Sequence, residues 1–318
     1  MQLLILVLFA SFGLVTGLDK IFYYAGKVDK NGILTLDAKN ATGPQDLLER
    51  SKKVIDFAVL HPKQTEENHE YWHKGLEASD VAQSEFGLPL SADDKGCSII
   101  EKAHKSGLYA LLGLSLKAHT KSKYAPSITY MIKKGPSKIT YKNIPAGLEE
   151  QFQDKDIQQT CESVDALNYT SFGLKAGGLT SQTCFPNSGI PEQTSKCVDN
   201  KKVKTKLKGY KIGYFKDYSQ YDVKKLITRL GAVLVDNQVI FGWTRSGKWI
   251  IAVEDPNEYK YAGIEKDIVG KYYHGQVLFN ESTLDVAVVI AIVFGSIIGF
   301  IGLIALIYLI YHCCKKMV

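Results

Sequence analysis

The 318-residue chain has no internal repeat and no low-complexity stretch, which excludes repeat arrays and unstructured tracts from the start. It is poor in net charge as well. Its 39 Lys and Arg against 33 Asp and Glu leave a formal +6, too mild to mark a nucleic-acid-binding protein. Two stretches lack charged side chains altogether. Met1–Gly17, MQLLILVLFASFGLVTG, is apolar from Leu3 to Val15 but too short to cross a bilayer. It closes on the small run Val-Thr-Gly and reads as a signal peptide, residues 1–17, although it lacks the usual Lys or Arg at its start. Val286–Tyr311 would make roughly 39 Å of helix against about 30 Å of hydrocarbon, enough to span with tilt. Asp285 precedes it and His312, Lys315 and Lys316 follow, so the positive-inside rule puts the C terminus in the cytosol.

The expectation is one transmembrane helix, residues 284–311, and a cytosolic tail, residues 312–318. The rest would lie in the lumen or outside the cell, as in a single-pass type I protein of the endoplasmic reticulum or the cell surface. Within the span, Gly295 and Gly299 have the GxxxG spacing that lets membrane helices approach, a candidate homodimer contact, although glycine is common in such helices. In the tail, Lys315 and Lys316 stand as a dilysine retrieval signal would, or simply stop transfer; Cys313 and Cys314 lie where S-palmitoylation occurs, or are plain thiols.

Between the ends lie four cysteines, Cys97, Cys161, Cys184 and Cys197. An even number in an oxidising compartment implies two disulfides, with three connectivities open. Asn40-Ala-Thr, Asn168-Tyr-Thr and Asn280-Glu-Ser are glycosylation acceptors and should lie at the surface. The positive charge is concentrated in Lys196, Lys201, Lys202, Lys204, Lys206, Lys208 and Lys211, a solvated loop and strand edge or else an anion- or glycan-binding patch. Apolar or small residues at Ile100, Ala103, Gly107, Leu111, Leu114 and Ala118 predict one long helix after Cys97. A second should run from about Cys161 to Gly177-Gly178, and a third, capped by Asp222, through Val223, Leu226, Ile227 and Leu230. Then Gly231-AVLV, Val239-IFGW and Trp249-IIAV read as strands, the last two joined by the hairpin turn Thr244-Arg-Ser-Gly-Lys248. Helices first and strands second make an α+β domain.

In order along the chain come Leu148-Glu-Glu-Gln151, Cys161, Asp165-Ala-Leu-Asn-Tyr169, Gly177-Gly-Leu-Thr-Ser181, Cys184-Phe-Pro-Asn-Ser-Gly189, Gly231-Ala-Val-Leu-Val235, Asp236-Asn-Gln-Val239 and Gly247-Lys-Trp-Ile-Ile251. This succession resembles the papain-like cysteine peptidases, with their LSEQ, GGL, YPY-x-G, GPVSV, DHAV and YWIIKNSWG elements. The similarity covers about 160 residues and rests on order rather than on any one motif. It implies a two-lobed papain-like domain over residues 96–280, with the second lobe abbreviated because the family's extra stretch between Val235 and Asp236 is absent. Residues 18–95 would be a propeptide-like region, and the part from about Asp46 to Pro89 is faintly similar to the family's helical propeptide. The resemblance further implies Cys97 bonded to Cys161 and Cys184 bonded to Cys197.

Where the family keeps its chemistry, this sequence departs from it. The nucleophile position falls on Ile100 or, in a second register that matches Leu108-Tyr-Ala-Leu to CWAF, on Leu108. The general-base position falls on Asn237 and the ring-orienting position near Val253. A thiolate–imidazolium pair cannot be built from these. Cys97 as nucleophile, with His104 or His274 as base, would leave an odd lumenal cysteine. A third chemistry is His69-Glu-Tyr-Trp-His73, the HExxH zinc pattern on a helix, set among charged and helix-breaking neighbours and lacking the glycine of the extended form, where Leu76 stands. The expectation is therefore a type I membrane glycoprotein with an inactive papain-like ectodomain that binds peptide or protein. It needs no cofactor, no metal and no nucleic acid. The alternatives are an active cysteine peptidase in another register, or a zinc protease using His69, Glu70 and His73.

Overall fold

The structure, a computed structural model, describes residues 19–44, 47, 50–61, 63–72, 76–267 and 273–280. The expected signal peptide, the expected transmembrane segment with Gly295 and Gly299, and the C-terminal residues with Cys313, Cys314, Lys315 and Lys316 lie outside the described residues, as does His73. Among the described residues no helix is long and apolar enough to cross a membrane.

The fold is α+β. Its strands are β1 (Lys20–Tyr23), β2 (Ile33–Asp37), β3 (Arg50–Lys53), β4 (Tyr71–Trp72), β5 (Lys138–Lys142), β6 (Lys155–Asp156), β7 (Tyr210–Tyr218), β8 (Val233–Val235), β9 (Gln238–Trp243), β10 (Trp249–Asp255), β11 (Lys260–Lys266) and β12 (Tyr273–Asn280). Its helices are α1 (Ala78–Gln83), α2 (Ala92–Lys95), α3 (Ser98–Lys105), α4 (Leu108–Thr120), α5 (Ile128–Lys133), α6 (Val164–Asn168), α7 (Thr170–Gly177) and α8 (Gln220–Leu230). The main sheet is antiparallel and runs β11-β10-β9-β8-β12-β7-β1-β3, with β4 continuing along β9 where β8 ends. A small sheet, β2-β5-β6, pairs its first two strands in parallel.

Strand periodicity explains why β9 and β10 read as unbroken apolar runs. Side chains alternate between faces, and here both faces are covered. Val239 and Phe241 join the core built with α3, α4 and α5, whereas Ile240 joins the core built with α8, and Trp243 reaches that same core beyond a bulge that shifts the β9–β10 register by one residue; Leu278 and its neighbours Val277 and Phe279 alternate on β12. Helix α4 packs against the sheet and α8, and Leu108 to Leu116 are buried without a break. A helix segment buried all round needs no polar face, hence the almost wholly apolar run over residues 108–116, in which Ser115 is the exception. Helix α8 is the opposite case, an amphipathic helix with Val223, Leu226, Ile227 and Leu230 inward.

Four expectations are corrected here. The long helix after Cys97 is two helices, broken at Gly107, whose φ of +75° places it in the left-handed region. The break lets the chain pass closely under β8: a Cβ on Gly107 would come within 2.6 Å of Leu234 Cδ1 and 2.9 Å of the Asn237 carbonyl oxygen. The helix from Cys161 is likewise two, α6 and α7, meeting at Tyr169 and ending at Gly178. Helix α8 is capped by Ser219, whose hydroxyl accepts from the Asp222 N–H while the Asp222 carboxylate accepts from the Ser219 N–H; Asp222 is the third helical residue, not the cap. Finally, the N-terminal region is not a mostly helical segment preceding the domain. β1 inserts between β3 and β7, β4 pairs with β9, and Ile21, Tyr23, Val54, Phe57 and Tyr71 are buried in the α8-side core. Among the described residues between Asp46 and Pro89 the only α-helix is α1, six residues long.

Two disulfides staple the fold. Cys97 joins Cys161 with a Cα separation of 4.7 Å, and Cys184 joins Cys197 at 4.5 Å, the pairing the resemblance implied. The first is reinforced by Ser98 Oγ and the Ile99 N–H, both donating to the Cys161 carbonyl at 2.7 and 3.0 Å.

Candidate functional site

β8 and β9 are joined by the tightest connection available to antiparallel strands. Val235 pairs with Gln238, leaving the two-residue turn Asp236-Asn237 with φ of +49° and +62°. Asp and Asn tolerate that conformation better than other side-chain-bearing residues, and the primed turn matches strand twist. This turn stands over the break at Gly107, and between them opens a groove of about 420 Å³. Leu108, Leu234 and Ile212 contribute its apolar lining, and Lys102 and Asp236 its charges.

Its polar groups divide into two kinds. Each of the hydroxyls of Ser106, Thr170 and Ser171 is engaged with backbone: Ser106 donates to Ala103 O at 3.2 Å, Thr170 to Leu167 O at 2.8 Å, and Ser171 Oγ accepts from the Ile212 N–H at 3.0 Å. The side-chain amides of Asn168, Asn237 and Gln276, by contrast, make no hydrogen bond among the described residues, and each offers both donors and an acceptor to whatever enters. No described lining residue is a cysteine or a histidine.

Of the two residues offered for the nucleophile position, Leu108 lines this groove as the first residue of α4, whereas Ile100 is fully buried in the core. Asn237 is exposed at the groove edge. Val253 does not line it; it sits half-buried on β10, one residue beyond the Ala252–Val239 pair. The turn Thr244–Lys248 closes as expected, the Thr244 N–H donating to Lys248 O at 2.9 Å with Gly247 at φ +84°. Of the glycosylation acceptors, Asn40 and Asn168 are exposed and Asn280 is half-buried at the end of β12.

The rival chemistries fare differently. Cys97 is fully buried and its sulfur is committed to Cys161, so it has no thiol to ionise. His274 is exposed, its Nδ1 accepting from the Asp217 N–H at 3.2 Å. His104 is buried on α3 and its Nδ1 lies 2.8 Å from Glu254 Oε1 on β10. Burial moves this pair in opposite directions, lowering the imidazole to about 4 and raising the carboxyl to about 6. At neutral pH His104 is therefore uncharged, donating Nδ1–H to an ionised Glu254. Tyr261 donates its hydroxyl to the His104 carbonyl and its ring lies 4.3 Å from the imidazole. The cluster pins α3 to the sheet.

The HExxH stretch does not form the helix its zinc chemistry requires. Tyr71–Trp72 is strand β4, drawn to β9 by Tyr71 stacking on Trp243 at 4.9 Å, and His69 and Glu70 are exposed ahead of it. Among the described residues no three metal-ligating side chains converge. A larger open cavity of about 710 Å³, beside Glu70, Trp72 and Arg245, likewise contains no thiol or imidazole among its described lining residues.

Sequence reasoning missed Gln276 and the engaged hydroxyls altogether. Gln276 enters the groove because β12 pairs with both β7 and β8, and no local pattern announces that partnership. No family model matches this chain, and no curated protein or solved structure matches it.

Proposed function

We propose that the chain is a single-pass type I membrane glycoprotein with a degenerate papain-like ectodomain. On this reading it binds an extended peptide or protein segment in the groove beside Leu108 and Asn237 and does not cleave it. The observation that carries the reading is the composition of that groove: apolar side chains, two uncommitted amides, Asn237 and Gln276, suited to a peptide backbone, and neither a thiol nor an imidazole among its described lining residues. The position of Leu108 at the start of a buried helix, on the same groove as Asn237, supports the papain-like part, because the family holds nucleophile and base on one cleft. The membrane span, a homodimer contact through Gly295 and Gly299, and retention through Lys315 and Lys316 belong to the same proposal.

The test uses the full chain in neutral detergent. Fluorogenic peptides should not be turned over, with or without a thiol-alkylating agent or added zinc. A labelled mixture of unstructured peptides should bind, and Leu108→Lys or Asn237→Ala should weaken the binding at least tenfold. Turnover blocked by alkylation would restore the cysteine peptidase, and turnover abolished by Glu70→Gln would restore the zinc protease. Peptide binding indifferent to both groove variants would remove the groove from the proposal.

A further inference from the structure

The lysine run is not explained by the groove, with which its pocket shares no residue. Lys202, Lys204, Lys206 and Lys208 alternate with Val203, Thr205 and Leu207, and exposure follows the same alternation: the four lysines are exposed and the residues between them are half-buried or buried. An extended chain turns every second side chain to the same side at about 7 Å intervals, so the ammonium groups of Lys202, Lys204 and Lys206 form a row; at Leu207, with φ of +53°, the chain turns and Lys208 leaves it. Lys196 is bridged directly opposite Lys202, two like charges in register. Such a pair opposes folding rather than favouring it. Yet among the described residues no carboxylate pairs with Lys196, Lys202, Lys204, Lys206 or Lys208. Asp199, in the same loop, is held by Lys201 at 2.7 Å. Elsewhere, Lys138, Lys142 and Lys155 each have an aspartate.

The row has a braced backbone. The Cys184–Cys197 disulfide closes the loop, the Cys197 N–H donates to Lys201 O at 3.0 Å, and Leu179 and Lys206 exchange backbone bonds at 2.7 and 2.8 Å. At its start opens a pocket of about 490 Å³, where Lys202 and Lys204 meet the hydroxyl-bearing residues Thr180, Ser181 and Thr183 and the phenol of Tyr124.

We propose that this edge is a binding site for a linear sulfated polysaccharide. A row of unpaired cations matches anions repeated along a chain rather than a single phosphate. Hydroxyls and a tyrosine ring beside them match sugar hydroxyls and a pyranose face. A membrane headgroup layer or a nucleic acid would use the charges but would leave the hydroxyl-lined pocket unexplained.

The full chain in neutral detergent is applied to immobilised heparin at about 0.15 M salt, where condensed counterions around a polyanion are already substantial. It should be retained and eluted by added salt. Lys196→Gln/Lys202→Gln/Lys204→Gln should elute earlier and lower the slope of log affinity against log salt by about one per lysine removed. The control Lys138→Gln/Lys142→Gln/Lys155→Gln removes the same charge and should elute with the unmodified chain. Flow-through of the unmodified chain, equal elution of the two triple variants, or equal retention on desulfated heparin each overturns the proposal. So does binding to phosphatidylserine vesicles that is stronger than binding to heparin and is lost in the first triple variant. None of these outcomes depends on peptide binding in the groove.

Discussion

Leu108 and Asn237 line one groove, and on the proposed reading they stand where a nucleophile and its base would. Leu108 is 8% exposed at a helix start, where a thiol would feel the positive end of the helix dipole. Leu108→Cys together with Asn237→His should therefore acquire a thiol that iodoacetamide alkylates several-fold faster at pH 7 than Leu108→Cys alone. Equal rates would show that the two positions do not face each other as a nucleophile and base must. Asn168 adds a second consequence, since an acceptor on the groove wall would carry its glycan at the entrance. His104 has a pH signature with a definite sign. Its imidazole is lowered, so its stabilising contribution is present above pH 6.5 and lost as pH falls toward 4. Glu254 is raised, so its contribution is present below pH 4.5 and lost as pH rises through 6. The stability difference between the unmodified chain and His104→Asn, from denaturant unfolding, should therefore shrink from pH 6.5 to 4 by on the order of 3 kcal/mol. A difference that is flat or grows in acid contradicts the assignment of a neutral buried imidazole.

At the scale of elements, the groove exists because a helix is interrupted. Gly107→Ala would have to hold a left-handed backbone and displace Leu234, so destabilisation of roughly 1–3 kcal/mol is expected. Ser219→Ala removes only a cap and should cost about 1 kcal/mol. Thermal unfolding of the two variants side by side distinguishes a tertiary constraint from a local one. The patterning of Val223, Leu226, Ile227 and Leu230 was enough to find α8, and Gly-Lys before Trp249 was enough to find the β9–β10 hairpin, because both are local. The break at Gly107 was not legible: Ile100, Ala103, Leu111 and Leu114 keep helical spacing across it, and what interrupts them is the β8–β9 turn, more than a hundred residues later in the chain.

For the whole molecule, the N-terminal strands decide what can be removed. β1 sits between β3 and β7 with Ile21 and Tyr23 in the core, so a chain beginning at Gly96 should expose that core and fail to give a cooperative unfolding transition. A cooperative transition in the shortened chain would make residues 19–95 a separable propeptide after all. Sequence alone determined the local and the additive: the α+β class, strand alternation, the turn chemistry, an even set of cysteines between the two apolar ends and the clustering of lysines. These follow from the residue types and their spacing, which act over a turn of helix or a pair of strands. Tertiary structure alone decided which side chains meet. It set Leu108 rather than Ile100 on the groove, brought Gln276 beside Asn237, sealed Cys97 against Cys161 and gave Tyr71 to a strand instead of a metal-binding helix. Such contacts join residues far apart in the chain, and their free energy depends on the surfaces that many elements bury together.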